Sequence, residues 1–160
     1  MSDLRIGLGV DAHALEEGTP LVLGGVRLDH DRGLAGHSDG DVIAHALTDA
    51  VLGAAGLGDI GSLFPSGDER FRGADSLDLL AEAYRQVQDG GFELVNADCV
   101  LIGEEPRIAS HRAEMRNSLA AALGVDSGLV NVRATTTDRL GFTGRGEGLA
   151  AQAVALLRRV

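Results

Sequence analysis

Asp11-Ala12-His13 places a carboxylate and an imidazole two residues apart, and on an extended chain such a pair faces one side. His45 follows inside a segment with helical periodicity. One Asp and two His make the ligand set of a catalytic zinc site, whose fourth position is left for water or substrate. Each part also has an ordinary reading when taken alone: a solvated strand end for the pair, a satisfied helix histidine for His45. Asp49, four residues after His45, is placed on the same helical face to orient the second ring nitrogen or to make a simple polar contact.

Two further constellations suit phosphate chemistry. His37-Ser38-Asp39-Gly40-Asp41 packs polar groups at a helix start, where free backbone N–H groups form an anion site or are simply capped. Ala134-Thr135-Thr136-Thr137-Asp138 ends a strand in hydroxyls and a carboxylate, and Gly141, Gly144, Gly146 and Gly148 follow around Arg145 and Glu147. Hydroxyls and close glycine backbone fit phosphate oxygens, with Asp138 holding a hard cation. A glycine-turned β-hairpin is the structural alternative. No P-loop is present, because lysine does not occur in the chain.

These residues need elements to position them. Arg5 to Leu15 alternates as a strand, and Leu21-Val22-Leu23 is a short strand before Gly24-Gly25. A helix is predicted from Ser38, as its N-cap, to Leu57, with closure at Gly56 and Gly58. Asp59 to Gly73 is a long loop, of the kind that serves as a lid or binding loop. Helices are predicted over 76–88 and 110–123, and strands over 92–102 and 129–137. Gly148 to Val160 is ambiguous, its alanines favouring helix and its alternation strand. The interleaving, without a regular βαβ repeat, predicts an α+β or α/β domain with a mixed sheet.

Composition narrows the function. The 160 residues carry 14 basic and 24 acidic side chains, a net charge of −10, with 44% hydrophobic residues and 3% aromatics. That length and balance predict one globular domain. The acidic excess excludes non-specific nucleic-acid binding, and few aromatics leave little for base stacking. Every basic residue is Arg, suited to bidentate phosphate contacts. The single cysteine, Cys99, lies in an apolar run and is expected as a buried thiol in a reducing compartment. The start of the chain lacks a signal-peptide pattern, and no stretch is apolar enough to span a bilayer, so a soluble cytoplasmic protein is expected.

Taken together, Arg5 to His13, His37 to Asp41 with His45-Ala46-Leu47, Gly58-Asp59-Ile60-Gly61, Gly73-Ala74-Asp75-Ser76 and Ala134 to Gly148 resemble the 2-C-methyl-D-erythritol 2,4-cyclodiphosphate synthases of non-mevalonate isoprenoid biosynthesis. The resemblance covers nearly the whole chain in order. It implies an α+β, sandwich-like fold with a mixed four-stranded sheet and helices on one face, the sheets facing the threefold axis of a homotrimer. It also implies active sites between adjacent subunits, and it turns the C-terminal segment to strand. The implied reaction is intramolecular: the 2-phosphate of 4-diphosphocytidyl-2-C-methyl-D-erythritol 2-phosphate attacks the β-phosphorus and expels CMP.

By the same resemblance Asp11, His13 and His45 hold Zn²⁺, and Asp138 with substrate phosphates holds Mg²⁺ or Mn²⁺. His37 and Thr136 stabilise the transition state, together with Asp138. Substrate contacts fall to Asp11, Ala12 and His13, to His37 and Ser38, and to Asp59, Ile60 and Gly61 at the erythritol hydroxyls. Phe64, Pro65, Ser66, Gly67 and Asp68 form a closing stretch. Gly103, Glu104, Glu105, Pro106, Arg107, Ile108 and Ala109 of a neighbouring subunit, with Ala134 and Thr135, form the cytosine pocket. Thr136, Thr137, Asp138, Phe142 and Arg145 complete the set, and Arg145 and Glu147 fall near the mouth of an axial cavity where members bind isoprenoid diphosphates. Asp138 stands where many members carry Glu, Arg107 where Lys is common, and Leu8 where His is frequent. Two rival readings use the same residues: a zinc hydrolase of the diphosphate, and a non-catalytic zinc-stabilised trimer binding isoprenoid diphosphates.

Overall fold

A computed structural model describes residues 3–160. The alternation at the start of the chain becomes a long strand, β1 (Leu4–Glu17), with Gly7 and Gly9 buried on one face and Ile6, Leu8 and Val10 exposed on the other. β2 (Leu21–Leu23) and β3 (Val26–Leu28) form a hairpin turned by Gly24 and Gly25, whose φ values of 57° and 76° lie in the left-handed region. β4 (Arg32–Leu34) pairs antiparallel with the distal end of β1.

The first helix, α1 (Val42–Ala55), starts three residues later than expected. Asp41, rather than Ser38, is its N-cap: the carboxylate accepts from Ile43 N at 3.1 Å and Ala44 N at 3.0 Å. The same carboxylate accepts from Gly24 N and Gly25 N, so one buried side chain stitches helix to hairpin. Four N–H donors outweigh the two a cap normally collects, which decides the register. Of the two readings of this segment, the capping role belongs to Asp41 rather than to Ser38.

The loop after α1 contains a single helical turn, α2 (Ile60–Leu63), capped by Asp59, and a 3-10 turn at Glu69–Phe71. Next come α3 (Ser76–Asp89) and β5 (Phe92–Ile102). After a 3-10 turn, α4 (Arg112–Leu123) closes on Gly124 and leads to β6 (Val130–Thr135). One more helical turn, α5 (Gly141–Gly144), precedes β7 (Gly148–Arg159).

The sheet order is β4-β1-β7-β5-β6, with β5 and β6 parallel and the other pairs antiparallel. Its body is the expected mixed sheet of four long strands, extended by the three-residue β4. β7 is a strand despite its alanines because it pairs on both sides, with β1 and with β5. Tertiary pairing overrides local propensity here. Its buried alanines, Ala151, Ala153 and Ala155, also leave room for α1 against the sheet. Where β5 bulges between Leu94 and Asn96, the freed Leu94 N–H donates to the Tyr84 hydroxyl at 2.9 Å.

The helices cover one face and bury α1 almost completely. The contact between β1 and α1 is as close as backbone permits. A Cβ on Gly7 would meet Ala50 O at 2.0 Å, and one on Gly9 would meet Ala46 O at 1.8 Å. The uncovered face carries Ile6, Leu8 and Val10 beside Val154, all exposed. Cys99 is buried as expected, and burial pushes its thiol up to about 12. Among the described residues, no helix is long and apolar enough to cross a membrane.

Candidate metal centre

The tight seam between β1 and α1 sets Asp11 and His13, on the helix-facing side of β1, against His45 on α1. Asp11 Oδ2 lies 2.9 Å from His13 Nε2 and 3.0 Å from His45 Nδ1, and the three ligand atoms all fall within 4.8 Å of one another. The two rings meet edge to face with centroids 5.5 Å apart. Burial alone would raise the Asp11 carboxyl, but hydrogen bonds and charge from both histidines overcome it and hold the group at about 2. The same contact with Asp11 raises His13 against the opposing effect of burial.

Whether these residues suit a metal is decided by their other contacts. His45 Nε2 lies 2.7 Å from Ser76 Oγ and 3.0 Å from Ser38 Oγ, leaving Nδ1 to face Asp11. The Ala35 backbone carbonyl likewise favours the protonated His13 ring. One carboxylate oxygen and two imidazole nitrogens converge, each ring supported from behind, which is the donor set and outer support of a three-ligand divalent site. The residues fit a metal.

Asp49 does not support His45. Its carboxylate accepts from Ile60 N at 2.7 Å and so anchors the turn that follows α1. Burial raises the Asp49 carboxyl, and the like charges of Asp59 and Asp11 add to this against the Ile60 N–H.

The cluster opens onto a cavity of about 400 Å³ shared with His37, Ser38, Ile60, Gly61 and the stretch Phe64 to Gly67, and walled by Phe71 and Leu79. His37 Nε2 reaches the Asp68 carbonyl at 2.9 Å, which ties the closing stretch to the cleft. Asp68 contributes that carbonyl, while its side chain pairs with Arg70 on the surface. Two expected substrate contacts lie elsewhere within the chain. Asp59 does not line the cavity, since its carboxylate caps Ser62 N. Ala12 is exposed on the opposite face of β1 from Asp11. Phe71 and Leu79 were not anticipated, because an aromatic in a charged loop and a leucine on a helix carry no signal of their own.

The threonine–aspartate motif lies elsewhere. Thr136 and Asp138 line a second cavity of about 510 Å³ with Glu104, Glu105, Arg107 and Arg145, together with Arg32 and Arg139. An adjoining cavity of about 270 Å³ is lined by Gly103, Glu104, Pro106, Arg107, Ile108, Ala109, Ala134 and Thr135. This is the segment expected to form a cytosine pocket. Asp138 and Arg139 both have positive φ, 52° and 67°, an uncommon conformation for side-chain-bearing residues. Glu104 holds the turn by accepting from Arg139 N at 2.7 Å. Thr137 is spent on the same turn: its hydroxyl donates to Leu140 O at 2.7 Å and meets the Thr143 hydroxyl at 2.9 Å. Phe142 is 43% exposed and lines neither cavity. Within one chain, therefore, the triad cleft and the Thr136–Asp138 cleft share no residue.

A family model described as the YgbB family matches residues 4–158. The 2-C-methyl-D-erythritol 2,4-cyclodiphosphate synthase of Rubrobacter xylanophilus is 64% identical over 99% of this chain and 98% of its own. A solved 2C-methyl-D-erythritol-2,4-cyclodiphosphate synthase in its CDP-bound form superposes with a TM-score of 0.87 at 42% identity, covering 96% of this chain and 99% of that one. The bifunctional IspDF of Campylobacter jejuni superposes with a TM-score of 0.96 at 44% identity; the whole of this chain spans 43% of that protein. With the match running almost end to end, the chain belongs to the YgbB family, alongside the 2-C-methyl-D-erythritol 2,4-cyclodiphosphate synthases.

Proposed function

We propose that the chain, as a single catalytic domain in the cytoplasm, converts 4-diphosphocytidyl-2-C-methyl-D-erythritol 2-phosphate into 2-C-methyl-D-erythritol 2,4-cyclodiphosphate and CMP. A 2-phosphate oxygen forms a bond to the β-phosphorus, and the bond from that phosphorus to the bridging oxygen breaks, releasing CMP. The observation that carries this reading is the Asp11–His13–His45 cluster at the head of a cleft walled by Ile60, Gly61 and Phe64 to Gly67. Its support from kinship is the 64% identity to a synthase named for that product.

The nucleophile belongs to the substrate, so the protein's work is to bend a polyanion, align attack and meet developing charge. Zn²⁺ on Asp11, His13 and His45 would polarise a phosphate oxygen, and Mg²⁺ or Mn²⁺ shared by Asp138 and the substrate would neutralise developing charge. His37 commits Nε2 to the Asp68 carbonyl, leaving Nδ1 to meet a phosphate, which it does as a donor when the ring carries both protons. Ser38 lines the same wall. Backbone groups at Ile60 and Gly61 hold the erythritol hydroxyls, and Phe64, Pro65, Ser66, Gly67 and Asp68 exclude water when closed over them. On the other half-site Thr136 donates to the diphosphate while Asp138 and Arg107 face the same cavity. Arg145, ion-paired to Glu147 at 2.8 Å, flanks that cavity. Gly103 to Ala109, with Ala134 and Thr135, receive the cytosine through backbone groups.

The two half-sites meet between copies of the chain in a homotrimer. Leu4, Ile6, Leu8 and Val10 are 52%, 74%, 62% and 55% exposed on one strand face beside Val154, a contiguous apolar stripe of the kind that marks an interface. Phosphorus NMR of the products tests the reaction. A cyclic diphosphate with stoichiometric CMP is expected; linear phosphomonoesters alone would point to a hydrolase instead.

A further inference from the structure

We propose that Asp39 and Ser76 are positioning residues for His45, fixing which ring nitrogen is bare and holding it toward Asp11. The inference rests on the reading of Asp11, His13 and His45 as a divalent-metal centre.

Ser76 is the first residue of α3 and is fully buried. Its hydroxyl has one proton and three partners, Asp39 Oδ1, His45 Nε2 at 2.7 Å and the Ser38 hydroxyl at 3.4 Å. Asp39 is already an acceptor on every side: Oδ2 takes Ser76 N at 3.0 Å and Oδ1 takes Asp41 N at 3.1 Å. An ionised carboxylate cannot donate, so the Ser76 proton goes to Asp39 and a Ser76 lone pair faces the imidazole. With that lone pair only 2.7 Å away, His45 Nε2 carries the hydrogen, and the Ser38 hydroxyl at 3.0 Å is its second acceptor. In the neutral ring this leaves Nδ1 bare, 3.0 Å from Asp11 Oδ2, so a cation can bind between the two where a proton otherwise bridges them.

The device draws on both helix starts. His45 is held by α1, whose cap Asp41 is bonded to Asp39 through its backbone, and by α3, whose first residue is Ser76. The chain leading into α3 is zipped to the same segment, Asp39 N donating to Ala74 O at 3.2 Å and Gly73 N to His37 O at 2.7 Å. The start of α3 and the residues before it therefore fix the direction of a metal-facing nitrogen.

Zinc affinity, measured by chelator competition on the full-length protein, tests the assignment, with circular dichroism as a check on fold. Ser76→Ala is expected to weaken zinc about 10- to 100-fold, and Asp39→Asn comparably, since either amide orientation sets a donor against a donor. In the zinc-loaded unaltered protein, proton–nitrogen correlation spectra should show the His45 Nε2–H hydrogen-bonded and slow to exchange, and Ser76→Ala should shift it upfield. An affinity within threefold of the unaltered protein in a folded Ser76→Ala, or an unshifted resonance, overturns the proposal. Should Ser76→Ala fail to fold, an Nε2–H that exchanges too fast to detect in the unaltered protein overturns it. None of these readouts uses substrate, so loss of the cyclisation reading and loss of this one are separable.

Discussion

Gly9 on β1 lies so close to Ala46 on α1 that a Cβ on the glycine would meet the Ala46 carbonyl oxygen at 1.8 Å. That separation sets the distance between the strand carrying Asp11 and His13 and the helix carrying His45. Gly9→Ala should therefore push β1 away from α1, cost about 3 kcal/mol or more through overpacking against backbone, and weaken metal binding in the fraction that folds. Thermal unfolding and metal titration check both effects. A variant with unchanged stability and unchanged metal affinity would mean that the seam does not set the site.

Asp41 carries a pH signature. Burial pushes its carboxyl up to about 6 from 3.8, against the opposing pull of its backbone N–H donors, with the Asp39 charge adding to the rise. A folded value above the unfolded one gives stabilisation that is full below pH 3.8 and lost as the pH climbs through about 6. Asp41→Asn keeps an oxygen for Gly24, Ile43 and Ala44 but turns an amide toward Gly25 N–H. It should lose about 1–3 kcal/mol at low pH and flatten the fall in stability between pH 4 and 6. Denaturant unfolding across that range, unaltered protein against variant, reads the change in slope.

Metal removal should separate activity from fold. The triad has only three protein ligands, the pattern of a catalytic rather than a structural site, and the packing of α1 on the sheet does not pass through it. Chelation is expected to abolish turnover while circular dichroism stays unchanged. Unfolding in step with metal loss would contradict this.

The open face of β1 predicts the assembly. Leu8, paired across the ladder with Val154, lies in the exposed apolar stripe. Leu8→Glu should place like charges together in an assembled interface and yield smaller species by sedimentation, with little effect on the secondary structure of each chain. A variant that sediments as the unaltered protein does would remove this face from the interface.

Much of this was legible in the sequence. β5 ends where its alternation ends, and the Asp11–His13–His45 set could be named from residue types and spacing. Other features depend on distances no local pattern carries. Ser38 reads as a cap because it is the first capping residue of a polar run, but Asp41 wins by collecting the hairpin amides of Gly24 and Gly25, which are adjacent only in the fold. Helical spacing left Asp49 as either an orienting partner of His45 or a simple polar contact; the fold gives the partner's place to Ser76, 31 residues away, and commits Asp49 to Ile60. The strand predicted through Thr137 stops at Thr135, where Thr136 to Arg139 turn into a left-handed conformation that Glu104 holds from another strand end.

In the proposed reaction the metal cluster of one copy works on substrate held by Thr136 and Asp138 of another. Mixed assemblies of two inactive variants, His45→Ala and Asp138→Ala, test it most directly. Co-refolded in equal amounts, they should recover about a quarter of the unaltered activity, because in a closed cyclic trimer about one junction in four pairs two intact halves. No recovery, in assemblies shown to contain both variants, would contradict it and place both halves of the site in one chain.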